Sequence, residues 1–316
     1  SCRCAEKIAT HHIDPQETGG PARAPGPAPI MSAHPLQPLA HAIRFLSIDA
    51  IVQAQEGHQG VPLGMAEIAT ALYLRHLKFD ASEPAWFDRD RVVLSNGHGS
   101  MLLYSLLHLT GHAHFPIEEI RRFRELGSPC EGHPERDVAH GIEVTTGPLG
   151  QGIANAFGMA VAEAYLNARF GSALVDHRTY AFVGDGCLQE GVGQEMISLA
   201  GHLQLGKLTL LWDDNQITDD GSTALSISEN VAERFRVAGW QVMELDGHDI
   251  EAVSAALDAA SAALGDLSRG IKTTQKDLQR APKKYPVNGV MSAAAAPTHR
   301  AGLLLQPSLR HSSFSA

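Results

Sequence analysis

Two short acidic stretches are the first places in this chain where residue types and spacing could do chemistry. Gly184-Asp185-Gly186 follows the apolar run Tyr180 to Val183, and Asp213-Asp214-Asn215 follows a second run, Leu208 to Trp212. Asp185 offers a carboxylate, Asn215 an amide oxygen, and the backbone carbonyl of Ile217 a third hard oxygen. Such a set suits a cation of the Mg²⁺ type, which usually shares its octahedron with substrate phosphates. Gly186 has no Cβ, so a diphosphate could approach the backbone there. The plainer alternative is an ordinary turn after one strand and an ordinary loop after the other.

The elements that must position these residues follow from periodicity. Each apolar run stops abruptly on turn residues, the pattern of a buried strand. Between them Val192, Met196, Leu199, Ala200 and Leu203 fall at helical spacing. The unit therefore reads strand, helix, strand, long enough for a right-handed parallel crossover. That puts the two strand ends side by side at the carboxyl edge of the sheet, where open α/β folds bind ligands. The fold class expected is α/β, an open parallel sheet flanked by helices.

Further along the chain the same logic gives a helix over Leu39–Gln55, a strand over Arg91–Leu94 and helices over Met101–Leu109 and Ile117–Leu126. A helix over Ile153–Leu166 follows the glycine loop Gly147-Pro148-Leu149-Gly150-Gln151-Gly152, which would offer free N–H groups to an anion or a polar ring. Two better-known phosphate motifs fail. The glycines of that loop and of Gly184 to Gly191 miss the dinucleotide spacing, and Gly201 to Lys207 has Leu208 where a P-loop needs Ser or Thr. Neither NAD nor ATP is favoured.

Three histidines sit in Gly-His turns, at His58, His98 and His133. Imidazole, with a pKa near about 6.5, both takes and gives protons at neutral pH. With 17 histidines in the chain, three such turns mean little by spacing alone. His112 and His114, two residues apart, would face a metal together if that segment were a strand, and Arg121, Arg122 and Arg124 read as a solvated helix face.

At this point four long blocks carry a resemblance. Leu94 to Gly111, Thr145 to Ala164, Gly184 to Gly191 and Asp213 to Gly221 resemble, in the right order, the diphosphate-binding domain of transketolases. The similarity runs from about Ala40 to about Leu264. It implies the thiamine diphosphate-binding fold, with Mg²⁺, or Ca²⁺ or Mn²⁺ in its place, held by Asp185, Asn215 and Ile217. It implies that His98, Gly147, Pro148, Leu149, Gly186 and Asn215 contact the cofactor, that His58 also faces substrate, and that His58, His98 and His133 move protons. Glu56, Gln59, Cys130 and Glu131 depart from the family pattern around two of these histidines. The implied reaction transfers a two-carbon ketol unit from a ketose phosphate such as xylulose 5-phosphate to an aldose phosphate, the cofactor acting as electron sink. Small residues Ala154, Gly158 and Ala162, with Glu190 and Glu195, would lie near a partner subunit.

Composition sets outer bounds. The chain has 316 residues, 44% hydrophobic, with a net charge of -10, which argues against nucleic acid as a partner. No apolar run is long enough to span a bilayer. Four cysteines suit a reducing, cytoplasmic setting. Residues 1–38 read as a disordered leader with Met31 as the natural start, and Cys2, Cys4, His11 and His12 within it as tail rather than a metal site. Residues 39–267 form the family domain. Residues 268–316 read as loop and disorder, with Ile271 to Thr274 resembling the strand expected there, and an abrupt loss of similarity suggests a frameshift.

The pyrimidine-binding domain of the family has no match in the chain. Three readings stay open: a transketolase incomplete in this chain, the amino-terminal subunit of a split enzyme whose partner supplies that domain, or a non-catalytic dimerising or regulatory module.

Overall fold

A computed structural model describes residues 34–219, 221–262 and the strand Leu303–Pro307. The chain divides into two units, Ser1–Ala33 and His34–Ala316, of which the first lies outside the described residues. So do Cys2, Cys4, His11, His12, Met31 and Ile271 to Thr274.

The helix expected from Leu39 is α1, Gln37–Ala54, with Pro38 in its first turn, where a missing N–H costs nothing. It starts two residues inside the segment read as leader. Gln55, at φ 54°, closes it in the left-handed conformation. The next helix is broken into α2 (Gly60–Gly64), α3 (Ala66–Ala71) and a π-helical turn, Leu72–His76. Buried Glu67 on α3 is gripped by Arg44 of α1, whose Nη1 donates to Oε1 at 2.6 Å, and by Gln37 at 2.7 Å. Burial alone would raise the Glu67 pKa, but these bonds and His248 outweigh it and hold it at about 2.

Strand β1 (Arg91–Leu94) is followed by α4 (Ser100–Leu109) and a short α5 (Ile117–Arg121). Then come α6 (Gln151–Phe170), β2 (Thr179–Gly184), α7 (Asp185–Gln189), α8 (Gly191–Leu203) and β3 (Leu208–Asp213). A two-stranded ribbon, β4 (Ile217–Thr218) with β5 (Gly221–Ser222), leads to α9 (Val231–Val237), β6 (Trp240–Glu244) and a helix covering residues 250–262.

β1, β2 and β3 pair in parallel, and the register sets Leu94 level with Phe182, Phe182 with Leu211, and Gly184 with Asp213. Side chains alternate between two buried faces, as a pleated sheet covered on both sides requires. Leu94, Tyr180, Phe182 and Leu211 join a core with α1, α3, α4 and the helix at 250–262. Val93, Ala181, Val183, Leu210 and Trp212 join the other, with α6, α8 and α9. Each large side chain so buried contributes about 1.5–3 kcal/mol.

The tail departs from the loop expected over 268–316. Leu303–Pro307 is strand β7, which inserts between β3 and β6 and runs antiparallel to both. The apolar triplet Leu303-Leu304-Leu305 is too short to give a periodic signal, yet long enough to bridge the two strands.

Candidate functional site

Local geometry at the strand ends begins with Ser95. Its amide extends the pairing of β1 onto the Phe182 carbonyl at 2.8 Å, and its hydroxyl accepts the Ile153 amide from the first turn of α6 at 3.2 Å. A Cβ on Gly152 would lie 2.4 Å from the Ser95 Cα, so only glycine lets α6 come this close. The segment ahead of α6 is pinned by a buried ion pair, Arg89 to Glu143 at 2.8 Å.

The floor of the site is acidic. Asp185 is buried, its Oδ1 accepts from Trp212 Nε1 at 3.0 Å, and its Oδ2 is buried with no partner. Burial pushes its pKa up to about 7, with Asp214 and Asp213 adding to the rise and the Trp212 bond opposing it. Burial likewise lifts Asp213 to about 6, and raises Asp214 with help from Glu244. Asn215 donates from Nδ2 to Asp213 at 3.0 Å and accepts the Ile217 amide on Oδ1 at 3.0 Å. Gln216, at φ 58°, holds a left-handed turn between Asn215 and Ile217.

More unpartnered polar atoms gather at the same edge. Both side-chain atoms of buried Asn96 lack a partner, and its Nδ2 lies 3.7 Å from where a Gly184 Cβ would be. Thr146 Oγ1 is also unpartnered, against Gly97. Native interiors rarely leave such groups unbonded without a ligand, ion or water to meet them. A divalent cation on Asp185 Oδ2 would both satisfy that oxygen and remove the like-charge repulsion, so the donor set fits one.

The rim is basic. The rings of His58 and His98 meet edge to face with centroids 5.1 Å apart. Burial, then His58 and His133, push the His98 pKa down, and burial, then Arg124 and His58, do the same to exposed His133. Gly147 lies against the His133 ring, 3.4 Å from a would-be Cβ. Pro148 is exposed and Leu149 reaches back over the floor, where its Cδ1 stands 2.8 Å from a would-be Cβ on Gly186. Gly186 thus makes room for Leu149, a constraint its sequence position did not suggest.

His58, His98 and His133 lie near one another, with Gly147 against His133 and Leu149 over Gly186. Asn96, Asp213 and Asp214 were missed, although Asn96 lies in the same Ser-Asn-Gly-His turn as His98 and the aspartates adjoin Asn215. Arg124 was misread as solvated. The helix expected over Ile117–Leu126 ends at Arg121, and Arg124, at φ 65°, turns in to donate to Glu56 at 2.8 Å and lies over Phe123. His112 and His114 do not face one metal: His112 is buried and stacks on Phe79, whereas His114 stacks on His140.

The fold and site define an α/β domain with a candidate ligand site at the carboxyl edge of its parallel strands. More narrowly, residues 36–268 match the family described as transketolase, thiamine diphosphate binding domain, and the chain belongs to that family. A transketolase of Sinorhizobium medicae is 59% identical over 222 residues, 70% of this chain and 32% of that protein. Transketolase from Leishmania mexicana superposes with a TM-score of 0.70 at 46% identity, covering 72% of this chain and 35% of the other. A Pichia stipitis transketolase solved as a complex with sedoheptulose 7-phosphate gives 0.68 at 47% identity, over 71% and 34%. The chain therefore spans about a third of the length of the relatives it matches.

Proposed function

We propose that this chain supplies the diphosphate- and cation-binding half of a thiamine diphosphate-dependent transketolase. The carrying observation is the set of unpartnered buried oxygens and nitrogens on Asp185 and Asn96 at the ends of β2 and β1. In this reading Asp185, Asn215 and the Ile217 carbonyl hold Mg²⁺, with Ca²⁺ or Mn²⁺ able to replace it. Gly147, Pro148, Leu149, Gly186 and His98 line the cofactor. When bound, the cofactor supplies an electron sink for breaking the C2–C3 bond of a ketose phosphate.

The protein's own share is placement and proton movement. His98, half-buried and held below the ordinary imidazole range, is neutral at physiological pH and accepts a proton at a ring nitrogen. His133, lowered by burial and by Arg124 beside it, acts the same way at the outer edge. His58, exposed beside His98, meets substrate hydroxyls. Sugar phosphates are the substrates, in keeping with the sedoheptulose 7-phosphate carried by the Pichia stipitis relative.

The pyrimidine-binding domain, which this chain's residues do not match, is supplied from outside them, on a partner subunit. Ala154, Gly158 and Ala162 leave a small-residue strip on α6, and nothing lies within 4 Å of a Cβ placed on Gly158, which suits a closely packed partner helix. The setting proposed is the cytoplasm. No helix among the described residues is long and apolar enough to cross a membrane.

The test is titration of thiamine diphosphate into the full chain with and without Mg²⁺, followed by addition of a transketolase pyrimidine domain and assay of ketol transfer. Cation-dependent binding that Asp185→Ala abolishes is expected. Unchanged binding by Asp185→Ala would sink the metal assignment, and binding without any ketol transfer on reconstitution would favour a non-catalytic module.

A further inference from the structure

A second group of ligating side chains lies away from the strand ends. One atom each from His114, Asp137 and His140 falls within 4.8 Å of the other two. They come from two loops far apart in sequence, and both loops are fixed by the fold. His114 follows α4 and packs edge-on against fully buried Phe115, with centroids 5.4 Å apart. Asp137 exchanges both backbone hydrogen bonds with Ile142 at 2.9 Å, and the His140 amide closes a 3₁₀ turn on the Asp137 carbonyl at 3.0 Å. The His140 Nδ1 meets Asp137 Oδ2 at 2.5 Å, and the His114 and His140 rings stack at 3.7 Å with a 14° tilt. The backbones that carry the three groups are thus held in place, and the stacked rings need only turn out of their stack for a nitrogen of each to reach one ion.

Two imidazoles and one carboxylate are a donor set for d-block dications, zinc foremost, and differ from the all-oxygen set of the acidic floor. A cavity of about 690 Å³ opens beside the cluster, lined by both His114 and Asp137. Glu119, Glu131 and Glu135 also line it and outnumber Arg136, which favours a cation at its mouth.

We propose that His114, Asp137 and His140 form a second metal site for a zinc-type dication, with three protein ligands and a fourth position open to the cavity. Such an ion clips the segment from His133 to Gly147, which carries part of the rim, to the corner between α4 and α5. A bound ion therefore stabilises the chain as well as filling the site.

The experiment uses the full chain carrying Cys2→Ser and Cys4→Ser, so that tail thiolates do not compete. Zinc is titrated against a chromophoric chelator, and Co²⁺ is added separately to read ligand-field absorption. One saturable equivalent and a rise in Tm with zinc are expected. His114→Asn with His140→Asn should weaken that equivalent by at least about tenfold, the lower bound set by what losing even an outer-shell partner costs. The Tm rise should vanish with it. Asp137→Asn, which keeps the side chain's shape, should do the same if the histidine variants fold poorly, while Asp185→Asn should leave the zinc equivalent intact. Absence of a saturable equivalent in the unmodified ligand set, or an equivalent and Tm rise that survive the histidine and Asp137 changes, would overturn the proposal.

Discussion

The acidic floor and the histidine rim are pushed toward neutrality by the same force and in opposite directions. Burial raises Asp185 to about 7 and Asp213 to about 6, so the floor tends to keep protons, whereas burial lowers His98 and His133, so the rim tends to lose them. A site built this way is poor in net charge until something arrives. A dication reverses only one half: it draws the floor carboxyls into ionised form and leaves the imidazoles uncharged and ready to accept protons. The contrast teaches that one force, burial, leaves carboxyls holding protons and imidazoles without them.

The sharpest way to break that contrast is Asp185→Asn, which removes the floor's unpartnered oxygen and leaves the rim untouched. Cation-dependent binding of thiamine diphosphate should weaken by about a hundredfold or more, beyond the cost of an outer-shell partner, as read by calorimetry. Next comes the close approach of α6 to the end of β1. Gly152→Ala drives a methyl into the Ser95 backbone and should cost about 1–3 kcal/mol of stability, measured by urea unfolding.

The pH dependence of the cation-free chain separates floor from rim by sign. Asp185 and Asp213 have folded pKa values above their unfolded ones, so their contribution is full below about pH 4 and is lost as pH rises through about 6 to 7. His98 and His133 have lowered folded values, so theirs is present above about pH 6.5 and lost as pH falls below it. Unfolding midpoints between pH 5 and 8, at about half-unit steps, should fall toward alkaline pH, and Asp185→Asn should flatten that fall. A smaller effect tests the rim alone. His58→Gln should move the His98 titration upward, and Arg124→Ala that of His133, both followed by imidazole NMR, because each removes a neighbour that holds that pKa down.

Much of this was legible before the structure because strands buried on both faces announce themselves. Tyr180 to Val183 and Leu208 to Trp212 are apolar without interruption, and each stops at the residue where the site begins. The family resemblance, rather than the Gly-His spacing, singled out the three rim histidines, and the glycine loop before α6 led to Gly147. What stayed hidden depends on neighbours distant in sequence. Arg124 lies beside His133 because α5 ends at Arg121 and the left-handed backbone at Arg124 turns its side chain toward Glu56. His114 pairs with His140 across 26 residues rather than with His112 across two, since Phe79 claims the His112 ring. The missing Cβ of Gly186 also admits Leu149, a contact that its sequence position did not suggest. β7 joins the sheet through backbone pairing, which a three-leucine run does not advertise.

The most direct test of the floor as a cation site is the titration of Asp185 itself, followed through its carboxyl carbon by NMR in the full chain. Without divalent ions it should titrate near 7, as burial dictates, and with saturating Mg²⁺ and inorganic pyrophosphate its midpoint should fall below the ordinary carboxylate range. A midpoint near 7 that does not move when Mg²⁺ and pyrophosphate are added would contradict the account.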